Sequence, residues 1–543
     1  MSWLKSILSI SIIVGLSACG GGSDAGNGNS TTPTNDAINI TSSAESAQQR
    51  LPCENATGEF CDLRIYQVMT ESFVDGDSSF DYGAGYGTSH HNGDLQGIID
   101  SLDYIKALGM NAIWLTPIFE SIATNGQDEW TDKLDATGYF ASNYFKIDPN
   151  FGTKALAEEL VTKAHEKGLY VFFDGVFGHH KGNLVTSPKG LSPAGGSNPV
   201  DYTNSDTLAF YQEVAEYWTS ELCLDGWRLD QAYQVPLSAW QQIHQTVKDA
   251  SANNAKASKC QINGNQWGTL GYMVAEVWNG NSEIVASAYG SNSSPALPSA
   301  FDFNRRYALV QTLAVEESGS GDHDASTLTA SWNDHHSYPD HAQANLMLGN
   351  HDLVRFGDLI QRGGLSHYWE RHKAAFSYMA AYSGPITLYY GDEIGDEVAN
   401  FAAKVDNSVC AAQGLCDDHV ARSSAHIKGV TDGFTPSREQ QALMDYVSQL
   451  MEVRQNNPAL YQGSVQNLYA DKDLLAVLKT TKEQQVVYLL NVSSDEKKVR
   501  LAADLLDDTR TLIDLITGAE IVIDIDHFEI AVSGLSGRLL LVK

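Results

Sequence analysis

A chain of 543 residues is longer than one small hydrophobic core can hold together, and two or three domains are expected. Its apolar content of 43% and charged content of 19% are those of an ordinary globular protein. With 67 acidic against 35 basic side chains the formal net charge is −32, which repels phosphate backbones and anionic headgroups and argues against a nucleic-acid partner.

In chain order, Lys5 precedes an apolar run over residues 7–16 that is too short to span a bilayer as a stable helix. The run ends in Leu16-Ser17-Ala18-Cys19-Gly20, which resembles a bacterial lipoprotein signal. That resemblance implies a signal peptide over 1–18, cleavage before Cys19, and a lipid on Cys19 as the chain's one link to a membrane. Gly20 in place of an aspartate implies export onward to the outer membrane. Residues 19–50 are rich in Gly, Ser, Asn, Thr and Ala and read as a flexible tether. Of seven cysteines, six remain once Cys19 is set aside. They fall into sequence-local pairs, Cys53–Cys61, Cys223–Cys260 and Cys410–Cys416. Six cysteines allow about fifteen connectivities, so this pairing rests on proximity and on an oxidising destination. No pair has CxxC spacing, which argues against zinc.

The folded body begins near residue 51. A β-type run over 63–69 leads into a polar, glycine-rich loop over 75–93. Apolar residues at Leu95, Ile98, Ile99, Leu102, Ile105 and Leu108 then predict a helix over 94–108, stopped by Gly109. Residues 111–117 are almost wholly apolar, as in a strand buried on both faces. The alternation continues: helices over 156–167, 208–222, 237–250, 282–289, 304–316, 367–382 and 440–454, and strands over 169–174, 226–230, 272–276, 300–303, 344–348 and 386–390. Eight strand–helix units predict a (β/α)₈ barrel over 51–174 and 206–457, with its active site at the C-terminal strand ends. Residues 175–205 hold many glycines and prolines and read as a short inserted loop domain. From 458 to 543, short strand-like runs over 474–479, 485–492, 497–501, 521–525 and 537–542 predict a C-terminal antiparallel β-sandwich.

The strand ends concentrate acids and histidines. The third strand delivers Asp174, followed by His179; the fourth delivers Arg228 and Asp230, two apart and so on one face; the fifth delivers Glu276; His351 and Asp352 follow the seventh. Acids from several strands meeting at one mouth suit glycoside cleavage, in which two carboxyl groups flank an oxocarbenium-like transition state. A carboxylate metal site fits less well, because an arginine among the acids repels a divalent cation.

These residues lie in motifs that resemble the α-amylase family, glycoside hydrolase family 13, over about residues 62–543. They are Asp174-Gly175-Val176-Phe177-Gly178-His179, Gly226-Trp227-Arg228-Leu229-Asp230, Val274-Ala275-Glu276-Val277-Trp278 and Gly349-Asn350-His351-Asp352. Trp114-Leu115-Thr116-Pro117, Gly138-Tyr139, the run from Ile147 to Thr153 and Tyr390-Gly391-Asp392-Glu393 support them. The resemblance implies that Asp230 is the nucleophile, Glu276 the general acid and base, and Asp352 the residue that grips sugar hydroxyls. It also implies that His179, His351 and Tyr139 contact the sugar, that Arg228 orients Asp230, and that Asp174 holds Arg228. The implied activity is retaining, α-amylase-like hydrolysis of α-1,4 bonds in starch or maltooligosaccharides. A cyclomaltodextrinase, α-glucosidase or glucanotransferase acting on short oligosaccharides is the alternative. A non-catalytic glucan-binding relative would have lost Asp230, Glu276 or Asp352, and all three are present.

Departures from the family pattern are informative. Gly178 stands where an asparagine usually ligates a structural calcium, and Tyr233 and Gln234 stand where a lysine and a histidine are common. Asp201 would match another ligand of that calcium, and Thr137 stands where many members carry a histidine. A different calcium is expected in the loop after the first strand, where Asp75, Asp77, Asp81 and Asp94 supply oxygen ligands at short spacing. His90, His91 and His180 read as loop residues or sugar contacts rather than metal ligands. Trp130 and Trp278 divide evenly between sugar stacking and packing.

Overall fold

The first barrel strand, β1 (Arg64–Val68), is hydrogen-bonded to β2 (Ala112–Leu115), which pairs with β3 (Tyr170–Gly175), and β3 with β4 (Gly226–Leu229). The ring continues through β5 (Tyr272–Ala275), β6 (Ser299–Phe301), β7 (Gln343–Met347) and β8 (Ile386–Tyr389), which returns to β1. All eight pairings are parallel and the barrel is closed. In this computed structural model the described residues are 37–42, 53, 60–82, 88–121, 137–182, 184–329, 334–401, 421–507 and 509–543. The expected signal peptide, Cys19, the Cys410–Cys416 pair and Trp130 lie outside them.

Period-2 alternation decides what each strand offers. Ile65, Trp114, Phe172, Val274, Phe301 and Met347 fill the barrel interior, while Tyr66, Leu115, Phe173, Trp227, Leu229 and Leu388 pack outward against the helices. Arg228 lies between outward Trp227 and Leu229 and therefore points inward, next to Asp174, its in-register partner on β3. The outer helices include α1 (Leu95–Ala107), α2 (Lys154–Glu166), α3 (Ser205–Leu222), α4 (Leu237–Lys256), α5 (Phe303–Leu313), α6 (Tyr368–Ala380) and α7 (Arg438–Asn456). Three of the caps are written in the sequence. Asp94 accepts from Gly97 N at the start of α1, Thr153 from Leu156 N at the start of α2, and Ser437 with Gln440 closes a capping box on α7.

Two disulfides form as expected from proximity. Cys53–Cys61 lies just before β1, and Cys223–Cys260 joins the end of α3 to the segment after α4. The 175–205 insertion builds no helix or strand of its own among the described residues. It is an irregular loop pinned back to the end of β3, with Val200 N donating to Gly178 O at 3.0 Å and Tyr202 Oη donating to Phe177 O at 2.8 Å. The helix expected over 282–289 begins as an α-turn, Asn281–Ile284, and widens into a π-helix, Val285–Tyr289.

The C-terminal region is a sandwich. Its six-stranded sheet runs β9 (Ser464–Ala470), β10 (Leu474–Thr480), β11 (Gln485–Asn491), β16 (Ser536–Val542), β13 (Thr511–Asp514) and β14 (Glu520–Val522). The facing sheet holds β12 (Lys497–Ala502), β15 (His527–Val532) and a short strand, Ile38–Ile40, parallel to β12. This corrects the reading of 19–50 as tether throughout: Ile40 is 2% exposed and belongs to the sandwich core with Leu501, Phe528 and Leu489. The six-stranded sheet is buried on both faces. Leu474, Ala476, Val487 and Leu540 face the second sheet, whereas Leu475, Val477, Tyr488 and Leu539 pack on the barrel side. Gly537 permits the close approach of β16 to α6, since a Cβ there would lie 2.1 Å from Ser377 Oγ. Polar groups buried in this seam find partners. Tyr488 Oη and Ser377 Oγ are 2.9 Å apart, and Lys479 Nζ donates to Ser383 Oγ at 2.5 Å.

Candidate active site

One guanidinium organises the barrel mouth. Arg228, fully buried, donates through Nη1 to both oxygens of Asp174 (2.8 and 2.9 Å) and to Asp230 Oδ1 (2.9 Å), while Nη2 lies 3.0 Å from Glu276 Oε2. Trp114 and Tyr139 flank it, their ring centroids 5.1 and 5.8 Å from its carbon. β3, β4 and β5 each deliver an acid to this one cation. The arrangement orients all three and lowers the cost of burying like charges side by side.

A directional hydrogen-bond chain leads in from the opposite wall. Gln67 Nε2 meets His351 Nδ1 at 2.7 Å, so the imidazole carries its proton on Nε2. That nitrogen lies 2.7 Å from Tyr139 Oη, which donates onward to Asp174 Oδ2 at 2.8 Å. Tyr139 and His351 are stacked, 5.3 Å apart and 8° from parallel, and Trp114 Nε1 also donates to Asp174. Asp352 is held by Arg422 Nη2 (2.8 Å) and His351 Nε2 (3.2 Å), and its side chain keeps 26% exposure at the mouth. Asp230 Oδ2 is buried and accepts no hydrogen bond among the described residues; His179 Nε2 stands 3.9 Å away.

Burial pushes the Glu276 carboxyl up to about 8, with Arg228 opposing and the charges of Asp230 and Asp352 adding. Its Oε2 also accepts from Gln231 N at 3.0 Å. A carboxyl that keeps its proton at neutral pH, beside a second carboxyl on the same guanidinium, is the chemical pairing of a proton donor and a nucleophile.

The eight residues expected at the mouth, Tyr139, Asp174, His179, Arg228, Asp230, Glu276, His351 and Asp352, all converge there. Gln67, Arg422 and Gln231 join them without having been singled out for the site, together with Gln234, noted above only as a departure from the family pattern. Gln67 is an interior polar residue of an apolar strand, a signal that was available. Arg422 lies in the long segment after β8, away from any motif. The other expectations fare variously. Trp278 is 46% exposed but stacks on Phe303 (5.4 Å, 7°), and His91 is buried against Glu71. His90 Nδ1 accepts from Asn92 N, and His180 Nδ1 faces Lys181 O.

The first-loop acids are not gathered as expected for calcium. Asp94 spends Oδ1 on Gly97 N and Oδ2 on Gly76 N and Asp77 N, Asp77 accepts from Ser79 N, and Asp75, Asp77 and Asp81 are exposed. Asp201 closes a turn on Thr203. Among the described residues, the three acid or histidine side chains whose ligand atoms come within 4.8 Å are Asp524, His527 and Glu529, on the C-terminal domain. There Arg500 donates to His527 Nε2 at 2.9 Å and takes up that lone pair.

A closed parallel barrel that gathers carboxylates around one buried arginine at its C-terminal mouth has the architecture of a glycoside hydrolase of the (β/α)₈ class. The alpha-amylase catalytic-domain family matches residues 67–186 and 197–463. The chain belongs to the α-amylase family. It is 54% identical to AmyP in a maltose complex, over 90% of this chain and 97% of that one, with a TM-score of 0.85. It is 27% identical to a cyclomaltodextrinase of Thermoanaerobacter pseudethanolicus over 81% of this chain and 72% of the relative. It is 25% identical to neopullulanase 2 of Thermoactinomyces vulgaris over 84% of this chain and 74% of the relative.

Proposed function

We propose that the enzyme hydrolyses α-1,4-glucosidic bonds of starch or maltooligosaccharides with retention of anomeric configuration. The observation that carries this reading is the placement of Asp230 and Glu276 on the two terminal nitrogens of Arg228, one carboxyl with an unengaged oxygen and the other pushed up by burial. In the first step Glu276 gives its proton to the glycosidic oxygen as that bond breaks, and Asp230 Oδ2 bonds to the anomeric carbon. In the second step Glu276, now a carboxylate, takes a proton from water, whose oxygen displaces Asp230 and leaves the sugar with its original configuration. His351, His179 and Tyr139 line the same space and supply hydrogen bonds to hydroxyls, and Asp352 grips the distorted ring. AmyP, to which this chain is similar, is described with maltose and with maltotriose.

The second reading, a cyclomaltodextrinase, is favoured by the similarity to proteins of that name. Product analysis on soluble starch, cyclodextrin and maltooligosaccharides separates the two: a mixed ladder from starch supports the first, and a preference for cyclodextrin overturns it. Glu276→Gln is expected to lower turnover by at least about 10³-fold on natural substrates; near-normal activity in that variant would falsify the assigned chemistry.

We also infer a calcium ion in the first loop, with Asp75, Asp77 and Asp81 closing on Asp94. The four carboxylates are the hard oxygen donors calcium takes. Calcium is expected to raise the melting temperature, and Asp75→Asn with Asp77→Asn to abolish that rise. The pattern ending in Cys19 supports an outer-membrane lipoprotein. Among the described residues no helix is long and apolar enough to cross a membrane. Fractionation of cells making the Cys19→Ala chain tests the anchor: soluble release supports it, unchanged membrane association overturns it.

A further inference from the structure

Gly178 and Gln234 both depart from the family's pattern, and in the folded chain they meet. A Cβ on Gly178 would lie 2.3 Å from Gln234 Oε1 and 2.6 Å from Gln234 Cβ, so the glutamine occupies the space a side chain at 178 would need. Position 178 has an ordinary negative φ, which makes this a demand of space and not of backbone conformation.

The amide of Gln234 has a defined orientation. Its Nε2 donates to Gln231 Oε1 at 3.0 Å and to Asn198 Oδ1 at 3.4 Å, which leaves Oε1 facing His179 Nδ1 at 3.0 Å. An oxygen there requires Nδ1 to be the donor, so neutral His179 carries its proton on Nδ1 and turns a bare Nε2 toward Asp230 Oδ2. His351 has the opposite tautomer. The mouth therefore holds one imidazole that donates and one that accepts.

We infer that Gln234 is a positioning residue: through its amide it fixes the ring and tautomer of His179 so that Nε2 accepts a substrate hydroxyl, and Gly178 is glycine because that amide fills its side-chain space. Gln231 ties this network to the acid, since its backbone N–H donates to Glu276 and its Oε1 also accepts from Tyr233 Oη at 2.8 Å.

This inference rests on the retaining-glycosidase reading for its catalytic half only. Gln234→Leu keeps the volume and removes the acceptor; kcat/KM on maltotriose is expected to fall about tenfold, the worth of one good hydrogen bond. In a His179→Ala background the same change is expected to add less than about twofold, because the group it positions is already gone. A full tenfold loss in that background shows a structural role and overturns the positioning claim. The packing half is read by melting temperature, independently of activity. Gly178→Ala is expected to lower it by several degrees, and Gln234→Gly in the same chain to restore most of that loss. Equal destabilisation by Gly178→Ala with and without Gln234→Gly overturns the shared-space claim. Inactivity of the unmutated enzyme on maltotriose, with the melting pattern as expected, would instead count against the glycosidase reading.

Discussion

At the scale of single residues, Glu276 shows how activity and stability oppose each other. Its carboxyl, ordinarily near 4.5, is pushed up to about 8 by burial. Between those values the folded state holds a proton that the unfolded state has released, so stability falls as pH rises through that window. Glu276→Gln removes this cost, and its melting temperature at pH near 7.5 is expected to exceed that of the parent even as hydrolysis is lost. In the proposed mechanism the acid must be protonated to act. kcat/KM is therefore expected to fall about tenfold per pH unit above about pH 8. A pH–rate profile with no alkaline limb would remove Glu276 from the acid's role.

At the scale of elements, most of what positions the site was legible because strand alternation has a fixed period. Arg228 and Asp230 share a face in any strand, and the structure turns both inward, on either side of outward-packed Leu229. Ends were less readable. The run 521–525 looks like one strand, yet Ile525 adopts φ +57° and is 84% exposed, so β14 stops at Val522 and the chain turns into β15. β9 was hidden by a register shift between Asn467 and Tyr469, which breaks the period-2 pattern. The Gly178–Gln234 contact joins positions with no local signal between them, and Arg422 reaches Asp352 from a segment without a motif. Both depend on the folded path of the chain. Ile38–Ile40 escaped notice because three residues in a Gly-, Ser- and Asn-rich run are too few to show a period. Ile40→Ala is expected to cost about 2–4 kcal/mol in chemical unfolding, the price of a buried isoleucine; a change below about 0.5 kcal/mol would mean that the strand contributes little.

At the scale of the whole molecule, charge and docking dominate. A formal charge of −32 makes the compact state repel itself, and salt screens that repulsion. Raising sodium chloride from about 0.02 M to about 0.5 M is expected to raise the melting temperature, followed by calorimetry. The opposite trend would show that attractive pairs such as Arg538–Asp514 and Lys154–Glu221 outweigh the net repulsion. The C-terminal sandwich is integral to the fold: its six-stranded sheet covers α6 with Tyr488 and Leu539 and buries Lys479 against Ser383.

The short strand Ile38–Ile40 has a mechanical consequence. It lies parallel to β12, with Ile38 opposite Val499 and Ile40 opposite Leu501. Tension applied along the N-terminal segment pulls this strand lengthwise against its neighbour, so its ladder bonds share the load in shear instead of opening one at a time. Strain entering from that end is taken up by the sandwich before it reaches Arg228 and the acids around it.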